Sequence, residues 1–302
     1  FAHRTFSWTN EARGKAAVHV VIIGFALHDI NSKIIYEYED IKGEPHAVEA
    51  KRINPYLVDA TEIFIENRRQ PISTIPEIVF GSMANDGGFL ILHFLGAEEF
   101  INNKSRWCLW LADINPSELR TIPEVYERVL SVKKHRLSSN RAATNKLANT
   151  PYLFVLIRQP SSIYLMLPRV SSELRKFIPI GYLPPEIIAS DAALTISNAT
   201  LFHFGILTST QHNAWMRTVA GRLKSDYRYS ANIVYNNFPW PTPTDAQRSA
   251  IETAAQGVLD ARAHYPDSSL ADLYDPLTMP PELVKAHAKL DKAVDAAYGY
   301  KG

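Results

Sequence analysis

The sequence predicts a mixed α/β fold of short strands and helices, followed by a helical C-terminal segment. Hydrophobic residues make up 46% of the 302 residues, which is enough to bury a substantial core. Short β-branched runs bounded by polar or turn-forming residues recur along most of the chain, and such runs are typical of strands. The C-terminal part is instead rich in alanine, with apolar residues at helical spacing, which favours helices.

The N-terminal segment predicts the end of a larger sheet. Residues 16–27 form an apolar, β-branched run interrupted by His19, and residues 33–38 form a second strand after a polar turn. Because the first run is apolar on both faces, we expect it to be buried on both sides, in an α/β sheet whose other strands lie upstream of Phe1. Further strands are predicted at residues 62–66, 89–94, 106–111, 152–158 and 162–167.

Helix signals occur between and after these strands. Ser209 is suited to cap the start of a helix over 209–222, and Gly221 is suited to end it. Three prolines between residues 238 and 243 exclude regular structure, so we place a boundary there. The other predicted helices are 97–103, 116–135, 244–264 and 281–298.

The net charge of +1 hides an uneven distribution of charge along the chain. No Asp or Glu occurs between Arg128 and Ser172, although basic residues are frequent there. Basic stretches attract polyanions, of which nucleic acid is the commonest. On charge alone, an ordinary solvated surface explains this stretch equally well.

Several motifs that would give the chain chemistry of its own are absent from the sequence. It has no glycine-rich cofactor loop, no Asn/Asp-Pro-Pro-aromatic tetrapeptide for methyl transfer to an amino group, no Gly-Lys-Ser/Thr phosphate loop and no His-Glu-x-x-His zinc motif. No catalytic residue is therefore predicted in this chain. Its longest apolar run is too short to cross a bilayer, so no membrane partner is expected.

Isolated residues of reactive types have simpler structural interpretations. Cys108 is the single cysteine and lies in an apolar run, which predicts a buried thiol in a protein of the reducing cytoplasm. Gly87 and Gly88 follow an Asn-Asp pair and predict a turn. His203 and His212 lie on an apolar background and are interpreted as structural, so no metal site is predicted.

Residue types that read base edges cluster in polar loops between residues 160 and 240. Arginine can donate two hydrogen bonds to guanine O6 and N7, and aspartate can accept one from cytosine N4. Arg169 and Asp191 would therefore suit a G·C pair, one residue for each base. Surface salt bridges would use the same residue types, so the types alone leave both interpretations open.

Three segments of this region resemble the target recognition domain of MmeI-like enzymes. They are PRVSSELRKFIPIGYL (168–183), FGILTSTQHNAWMRTVAGRLKSDYRYS (204–230) and VYNNFPWP (234–241). These bacterial type II restriction–modification proteins join a nuclease, a γ-class adenine-N6 methyltransferase, a recognition domain and a C-terminal helical segment in one chain. Residues 6–12 and 16–25 resemble the last strands of that methyltransferase, and residues 269–299 resemble the helical C-terminus.

The resemblance implies a division of the chain and a set of specificity positions. Residues 1–44 would be C-terminal strands of the methyltransferase, 45–240 the target recognition domain and 241–302 the helical segment. In the family, an Arg/Asp combination at the first pair of specificity positions goes with a G·C pair at the outermost specified position. The implied pairs in this chain are Arg169 with Asp191, Ala192 with Arg228, and Lys224 with Asp226.

The resemblance also implies a role for Phe6 or Trp8. In such methyltransferases an aromatic residue in the loop before the last strand stacks on the adenine, which must leave the duplex because its amino group is unreachable inside it. Core packing is the alternative for both rings. S-adenosylmethionine is expected for the intact enzyme and no cofactor for this chain. The missing methyltransferase part, with or without a nuclease, is expected in the same polypeptide, since the chain does not begin with Met.

We therefore expect sequence-specific binding of double-stranded DNA, as the target recognition part of an adenine-N6 methyltransferase or restriction–modification enzyme. One alternative is a protein-interaction or scaffold module without a nucleic acid partner. The other is the recognition part of a phage-defence methyltransferase that does not cleave DNA. Phosphate contacts would position the protein without specifying sequence, and they are expected from Lys133, Lys134, Arg136, Arg141, Arg175 and Arg222.

Overall fold

The computed structural model describes residues 1–8, 18–84, 94–112 and 114–300, and it confirms the mixed α/β prediction. The strands of these residues are β1 (Ala2–Trp8), β2 (Val18–Ile23), β3 (Lys33–Glu37), β4 (His46–Ala50), β5 (Ile78–Phe80), β6 (Phe94–Leu95), β7 (Tyr164–Pro168), β8 (Val170–Ser171), β9 (Gly181–Leu183), β10 (Ile188–Ala189), β11 (Ala193–Ser197), β12 (Gly221–Leu223) and β13 (Asp226–Arg228).

The helices of the described residues include two long ones near the C-terminus. They are α1 (Ala97–Asn102), α2 (Pro116–Leu119), α3 (Pro123–Leu137), α4 (Ala142–Lys146), α5 (Leu201–Thr208), α6 (Thr210–Val219), α7 (Asp245–Ala263), α8 (Leu270–Leu273) and α9 (Pro281–Ala297). A 3-10 turn at Leu147–Asn149 and a π-helix at Ala231–Tyr235 complete them.

The N-terminal strands form a four-stranded sheet in the order β2-β1-β3-β4. Strands β1 and β3 are parallel, and the two outer pairs are antiparallel. The prediction that the first run is buried on both faces is wrong for the described residues. Strand β2 is an edge strand that no described element covers, and Ile23 at its end is 56% exposed.

A central antiparallel sheet has the order β5-β11-β7-β9. All five residues of β7 are buried, because helices and loops cover both faces of this strand. A small antiparallel sheet, β12-β13-β8, continues from the end of β7, and a short parallel pair joins β10 to β6. The central and small sheets meet where β7 gives way to β8.

One hydrophobic core joins the central sheet to the C-terminal helices. Leu165 of β7 and Ile196 of β11 belong to the same buried cluster as Ile251 of α7 and Leu290 of α9. The contact is close at α5, where a Cβ on Gly205 would lie 2.9 Å from the Cγ2 of Ile251. The proline-containing segment at 238–244 lacks helix and strand, as predicted, but the core runs across it.

Elements with strong local signals agree with the prediction. Strand β7 and helices α1, α7 and α9 lie within a few residues of their predicted bounds. Ser209 caps α6 by accepting the His212 amide. Gly221 does not end that helix, because Ala220 is already extended and Gly221 begins β12. The helix predicted over 116–135 is split at Pro123, which starts α3 and lacks the amide needed to continue α2.

Three predicted strands are wrong, because their backbones do not pair continuously with a neighbouring strand. At 62–66 the Asn237 amide donates to the Glu66 carbonyl and the Tyr56 hydroxyl accepts the Ile65 amide. The segments 106–111 and 152–158 contain only isolated bridges in the described residues. Helix α5 and the two- and three-residue strands were not predicted. Of residues 87–94, only Phe94 lies in the described part, so the predicted turn and most of the predicted strand fall outside it.

Candidate nucleic-acid interface

Arg169 is the single residue between β7 and β8, where the chain passes from the central sheet to the small one. Its amide donates to the Ala192 carbonyl at 3.3 Å, and its carbonyl accepts the Tyr229 amide at 2.8 Å. The first bond extends the pairing of β7 with β11, and the second extends the pairing of β8 with β13. Segments that are distant in sequence therefore meet at Arg169.

The guanidinium of Arg169 is held by two contacts with different directions. Its Nη1 donates to the backbone carbonyl of Asp191 at 2.8 Å, and its carbon lies 4.6 Å from the centroid of the Phe80 ring. The partner at Asp191 is the carbonyl and not the carboxylate. Within the described part of the chain, no protein donor binds the Asp191 carboxylate, so the salt-bridge interpretation does not hold for this pair.

The loop that carries Asp191 and Ala192 is fixed through its backbone. The Asp191 amide donates to the Ser82 carbonyl at 3.0 Å, and the Ser82 amide donates to the Ala189 carbonyl at 2.7 Å. The Ala192 amide donates to the Ser190 hydroxyl at 3.3 Å, while the Ala192 side chain is exposed. The loop position therefore does not depend on the side chains of 191 and 192.

Arg228 lies close to Arg169 on a third segment of the chain, strand β13. It is the last residue of β13 and pairs with Val170 of β8, next to Arg169. Its side chain is exposed. Arg169, Asp191, Ala192 and Arg228 thus lie together at the junction of the two sheets.

The remaining predicted specificity positions lie on the β12–β13 hairpin. Lys224 and Ser225 form its turn, and Lys224 adopts a left-handed backbone conformation with φ of 57°. Asp226 starts β13 and is half-buried. The two residues therefore belong to the same hairpin as Arg228 and lie at its turn, whereas Arg228 lies at the junction of the two sheets.

A stack of side chains that the sequence did not reveal holds this hairpin. The buried ring of Tyr227 has the guanidinium of Arg222 at 3.8 Å from its centroid and that of Arg217 at 5.2 Å. Arg222 also forms an ion pair with Glu173 at 3.2 Å and donates to the Ser225 carbonyl at 2.5 Å. Arg222 was predicted to contact phosphate, and here its guanidinium stabilises the hairpin. Arg222 and Tyr227 face each other only through the register of the hairpin, which the sequence did not predict.

The prediction that Arg136 contacts phosphate is wrong. Its side chain is 1% exposed, and its guanidinium donates to four backbone carbonyls at 2.8–3.1 Å, those of Ala84, Leu147, Thr150 and Leu153. Arg136 therefore ties α3 to the loops around it. Helical spacing could have shown this, since Val129, Val132 and Arg136 share the buried face of α3.

The other basic candidates differ in exposure. Lys133, Lys134 and Arg141 are exposed at the C-terminal end of α3 and before α4, so they remain predicted phosphate contacts. Arg175 is half-buried. Burial lowers the pKa of its guanidinium, and the carboxylates of Asp226 and Asp275 oppose that shift.

Phe6 and Trp8 lie on strand β1 and not in a loop, contrary to the expectation from the family. The Phe6 ring stacks on Tyr38, with ring centroids 5.0 Å apart and planes inclined by 12°. Trp8 is 50% exposed. Of the two rings, that of Trp8 is the more accessible to a base.

His203 and His212 bond to neighbouring residues of the protein, and Cys108 lies in the interior. His203 caps α5 through a bond to the Thr200 amide, and His212 is buried with its Nε2 2.8 Å from the Tyr229 hydroxyl. Cys108 is buried at 2% exposure, as predicted. Among the residues that the structure describes, no group of His, Cys, Asp or Glu could hold a metal ion. None of the described helices is both long and apolar enough to cross a membrane.

Comparisons with known proteins place the chain in a family. Models of three MmeI domains match it: the DNA-methyltransferase domain over residues 1–37, the target recognition domain over 91–242 and the C-terminal domain over 243–302. Residues 38–90 lie outside these matches. The resemblance seen in the sequence is thereby confirmed.

Two relatives extend this result to the whole chain. DNA methyltransferase A of Bacillus subtilis (strain 168) is 38% identical over 322 residues, which cover 100% of this chain and 36% of that protein. The solved structure of the Type IIL restriction–modification enzyme MmeI in complex with DNA is 51% identical, with a TM-score of 0.92, and the match covers 100% of this chain and 43% of that one. The chain thus spans less than half the length of either relative. It belongs to the MmeI family of restriction–modification enzymes and carries that family's target recognition domain.

Proposed function

We propose that this chain reads the base sequence of duplex DNA for a site-specific adenine-N6 methyltransferase. The observation that carries the proposal is the convergence of Arg169, Asp191, Ala192 and Arg228 at the junction of two sheets. An adjacent hairpin supplies Lys224 and Asp226. The relatives, one described as a DNA methyltransferase and one as a restriction–modification enzyme bound to DNA, support the same function.

The Arg169–Asp191 pair has the chemistry to read a G·C pair. One donor of Arg169 is used by the Asp191 carbonyl, and the rest of the planar fork can donate to guanine O6 and N7. The Asp191 carboxylate can accept the N4 amino group of cytosine. Among the described residues, neither side chain forms an ion pair within the protein. A base edge therefore does not have to break one, and both side chains are available for direct readout.

Exposed lysines on α3 would add contacts to phosphate. Lys133 and Lys134 lie in the stretch without acidic residues, on a helix whose Arg136 binds the Ala84 carbonyl. Ala84 is two residues from Ser82, which holds the Asp191 loop. Helix α3 is thereby tied to the chain segment that supports the base-reading loop, and phosphate contacts from its exposed lysines would position the protein on the duplex.

Methyl transfer would depend on residues outside this chain. S-adenosylmethionine would supply the methyl group in the longer enzyme, and its site requires backbone that a cofactor can approach closely. The sequence has no glycine-rich loop of that kind. The accessible ring of Trp8 is the better of the two candidates for stacking on a flipped adenine.

The site of action would be the bacterial cytoplasm, where DNA is modified. The buried thiol of Cys108 is compatible with that reducing compartment.

The test maps adenine methylation in a host that expresses the full-length protein. Replacing Arg169 and Asp191 together with alanine should make one position of the modified sequence degenerate and leave the other positions unchanged. A matched control replaces Asp260 and Lys285, two exposed charges of the C-terminal helices, and should leave the modified sequence as it was. An unchanged modified sequence in the Arg169/Asp191 variant would refute the assignment.

A second measurement separates DNA binding from a scaffold role. The full-length protein should retard random duplex DNA in a gel at low salt and release it at high salt, because phosphate contacts are screened. Absence of retardation at low salt would favour a module without a nucleic acid partner.

A further inference from the structure

Phe80 contacts the residue that is proposed to read guanine, although the two are distant in sequence. Phe80 ends β5, an edge strand of the central sheet, and its half-buried ring lies 4.6 Å from the guanidinium carbon of Arg169. In the sheet, Phe80 pairs with Leu194 of β11, and Leu194 pairs with Leu167 of β7, two residues before Arg169. The ring therefore reaches Arg169 across the one intervening strand, β11.

The two contacts of Arg169 restrict different motions of its guanidinium. The hydrogen bond to the Asp191 carbonyl lies along an N–H direction and fixes one end of the fork. The Phe80 ring lies near the guanidinium, where an aromatic face attracts a cation. Together they limit rotation about the last side-chain bonds. A fork with restricted rotation presents its remaining donors in one direction, as bidentate contact with guanine requires.

The residues after Phe80 support the other half of the pair. The Gly81 amide donates to the Ala193 carbonyl at 3.2 Å, and the Ser82 carbonyl accepts the Asp191 amide at 3.0 Å. A Cβ on Gly81 would lie 2.3 Å from the Ser190 carbonyl oxygen, so glycine is needed for this close approach. Residues 80–82 therefore contact both Arg169 and the backbone of the Asp191 loop.

We propose that Phe80 is a positioning residue for base specificity, whose ring holds the Arg169 guanidinium in the orientation that reads guanine. This inference rests on the proposed function of Arg169. Phe80 lies in the segment between the matched methyltransferase and recognition domains, so specificity depends on a residue outside the matched recognition domain at 91–242. Phe80 does not contact the base itself and acts through Arg169.

The test measures base preference in the full-length protein, with the preferred site first selected from randomised duplexes. Competition binding then compares duplexes that differ at one base pair. Phe80→Leu keeps an apolar side chain but removes the aromatic face, so discrimination at the G·C position should fall about fivefold to tenfold. Discrimination at the other positions and the salt dependence of binding should not change. Phe80→Tyr restores the face and should restore discrimination.

A matched control removes a different ring from a different arginine. The ring of Phe202 on α5 lies 4.1 Å from the guanidinium carbon of Arg248 on α7, and Phe202→Leu should leave every base preference unchanged. The inference is overturned if Phe80→Leu keeps full discrimination, if it weakens binding to all sequences equally, or if Phe80→Tyr behaves like Phe80→Leu.

The variant Arg169→Ala separates this inference from the proposed function. If Arg169→Ala relaxes one position and Phe80→Leu does not, the inference fails and the reading role of Arg169 stands. If Arg169→Ala relaxes no position, the proposed function of Arg169 itself fails.

Discussion

Replacing Arg136 with methionine should destabilise the protein without changing the DNA binding proposed for it. Methionine keeps much of the side-chain volume but removes the donors that bind four backbone carbonyls. Each bond from a charged donor contributes about 1.5–3 kcal/mol, yet burying a guanidinium costs several kcal/mol, so the four bonds do not add. Leaving buried carbonyls without a donor gives an expected loss of about 3–5 kcal/mol, a large part of the usual stability of about 5–15 kcal/mol.

Urea denaturation followed by circular dichroism measures this loss, with the exposed neighbours on the same helix as controls. Lys133→Ala and Lys134→Ala should change the free energy of unfolding by no more than about 0.5 kcal/mol. DNA binding should show the opposite pattern. Replacing a lysine that binds phosphate should reduce the slope of log affinity against log salt by about 0.9, whereas Arg136→Met should leave the slope unchanged. Unchanged stability of Arg136→Met, together with a reduced salt slope, would show that the guanidinium reaches DNA and would refute the reasoning.

Two further predictions concern the buried core and its titratable groups. Burial lowers the pKa of His212 to about 3 and that of His287 to about 3, whereas an unfolded chain protonates histidine near about 6.5. The stability that these histidines contribute should therefore be complete above about pH 6.5 and fall as the pH drops towards 3, because only the unfolded chain gains these protons. In urea denaturation, the double variant His212→Gln/His287→Gln should lose less stability between pH 7 and pH 5 than the unaltered protein. An equal loss would contradict the reasoning. Gly205→Ala should lower the free energy of unfolding by about 1–3 kcal/mol, and with it the thermal midpoint, because the added methyl overpacks against α7 and α9. A Cβ on Gly257, inside α7, would meet nothing within 4 Å, so Gly257→Ala should raise the free energy of unfolding by about 0.5–1 kcal/mol and raise the midpoint. Equal shifts for the two alanines would show that propensity and not packing decides at both positions.

The parts of the fold that could be predicted are those with local causes. Helices α7 and α9 have long amphipathic patterns, and β7 is a continuous apolar run of strand length. Strands β8 and β10 have two residues each, too few to carry a period. Distant partners determine such strands, as when Tyr229 donates to the Arg169 carbonyl, and one sequence alone does not show those partners.

The candidate site shows the same limit. Residue types and the family resemblance indicated Arg169 and Asp191, and the structure brings them together. The proposed role of Phe80 depends on a contact with Arg169 across strand β11, for which the sequence has no signal. Arg136 lies in a basic run beside Lys133 and looks like a surface residue there. The helical spacing of Arg136 with the buried Val129 and Val132 separates it from the exposed lysine.

The hydrogen bonds at the junction of the two sheets have a consequence for how new target sequences could arise. Backbone atoms of residues 169, 191 and 192 make these bonds, and every amino acid except proline can make them. A change of side chain at these positions therefore leaves the frame in place. Because two residues, Arg169 and Asp191, are proposed to read one base pair, a complete change of preference there needs two mutations. The intermediate with one of them would be a folded protein of relaxed specificity, so selection could act on it before the second mutation occurs.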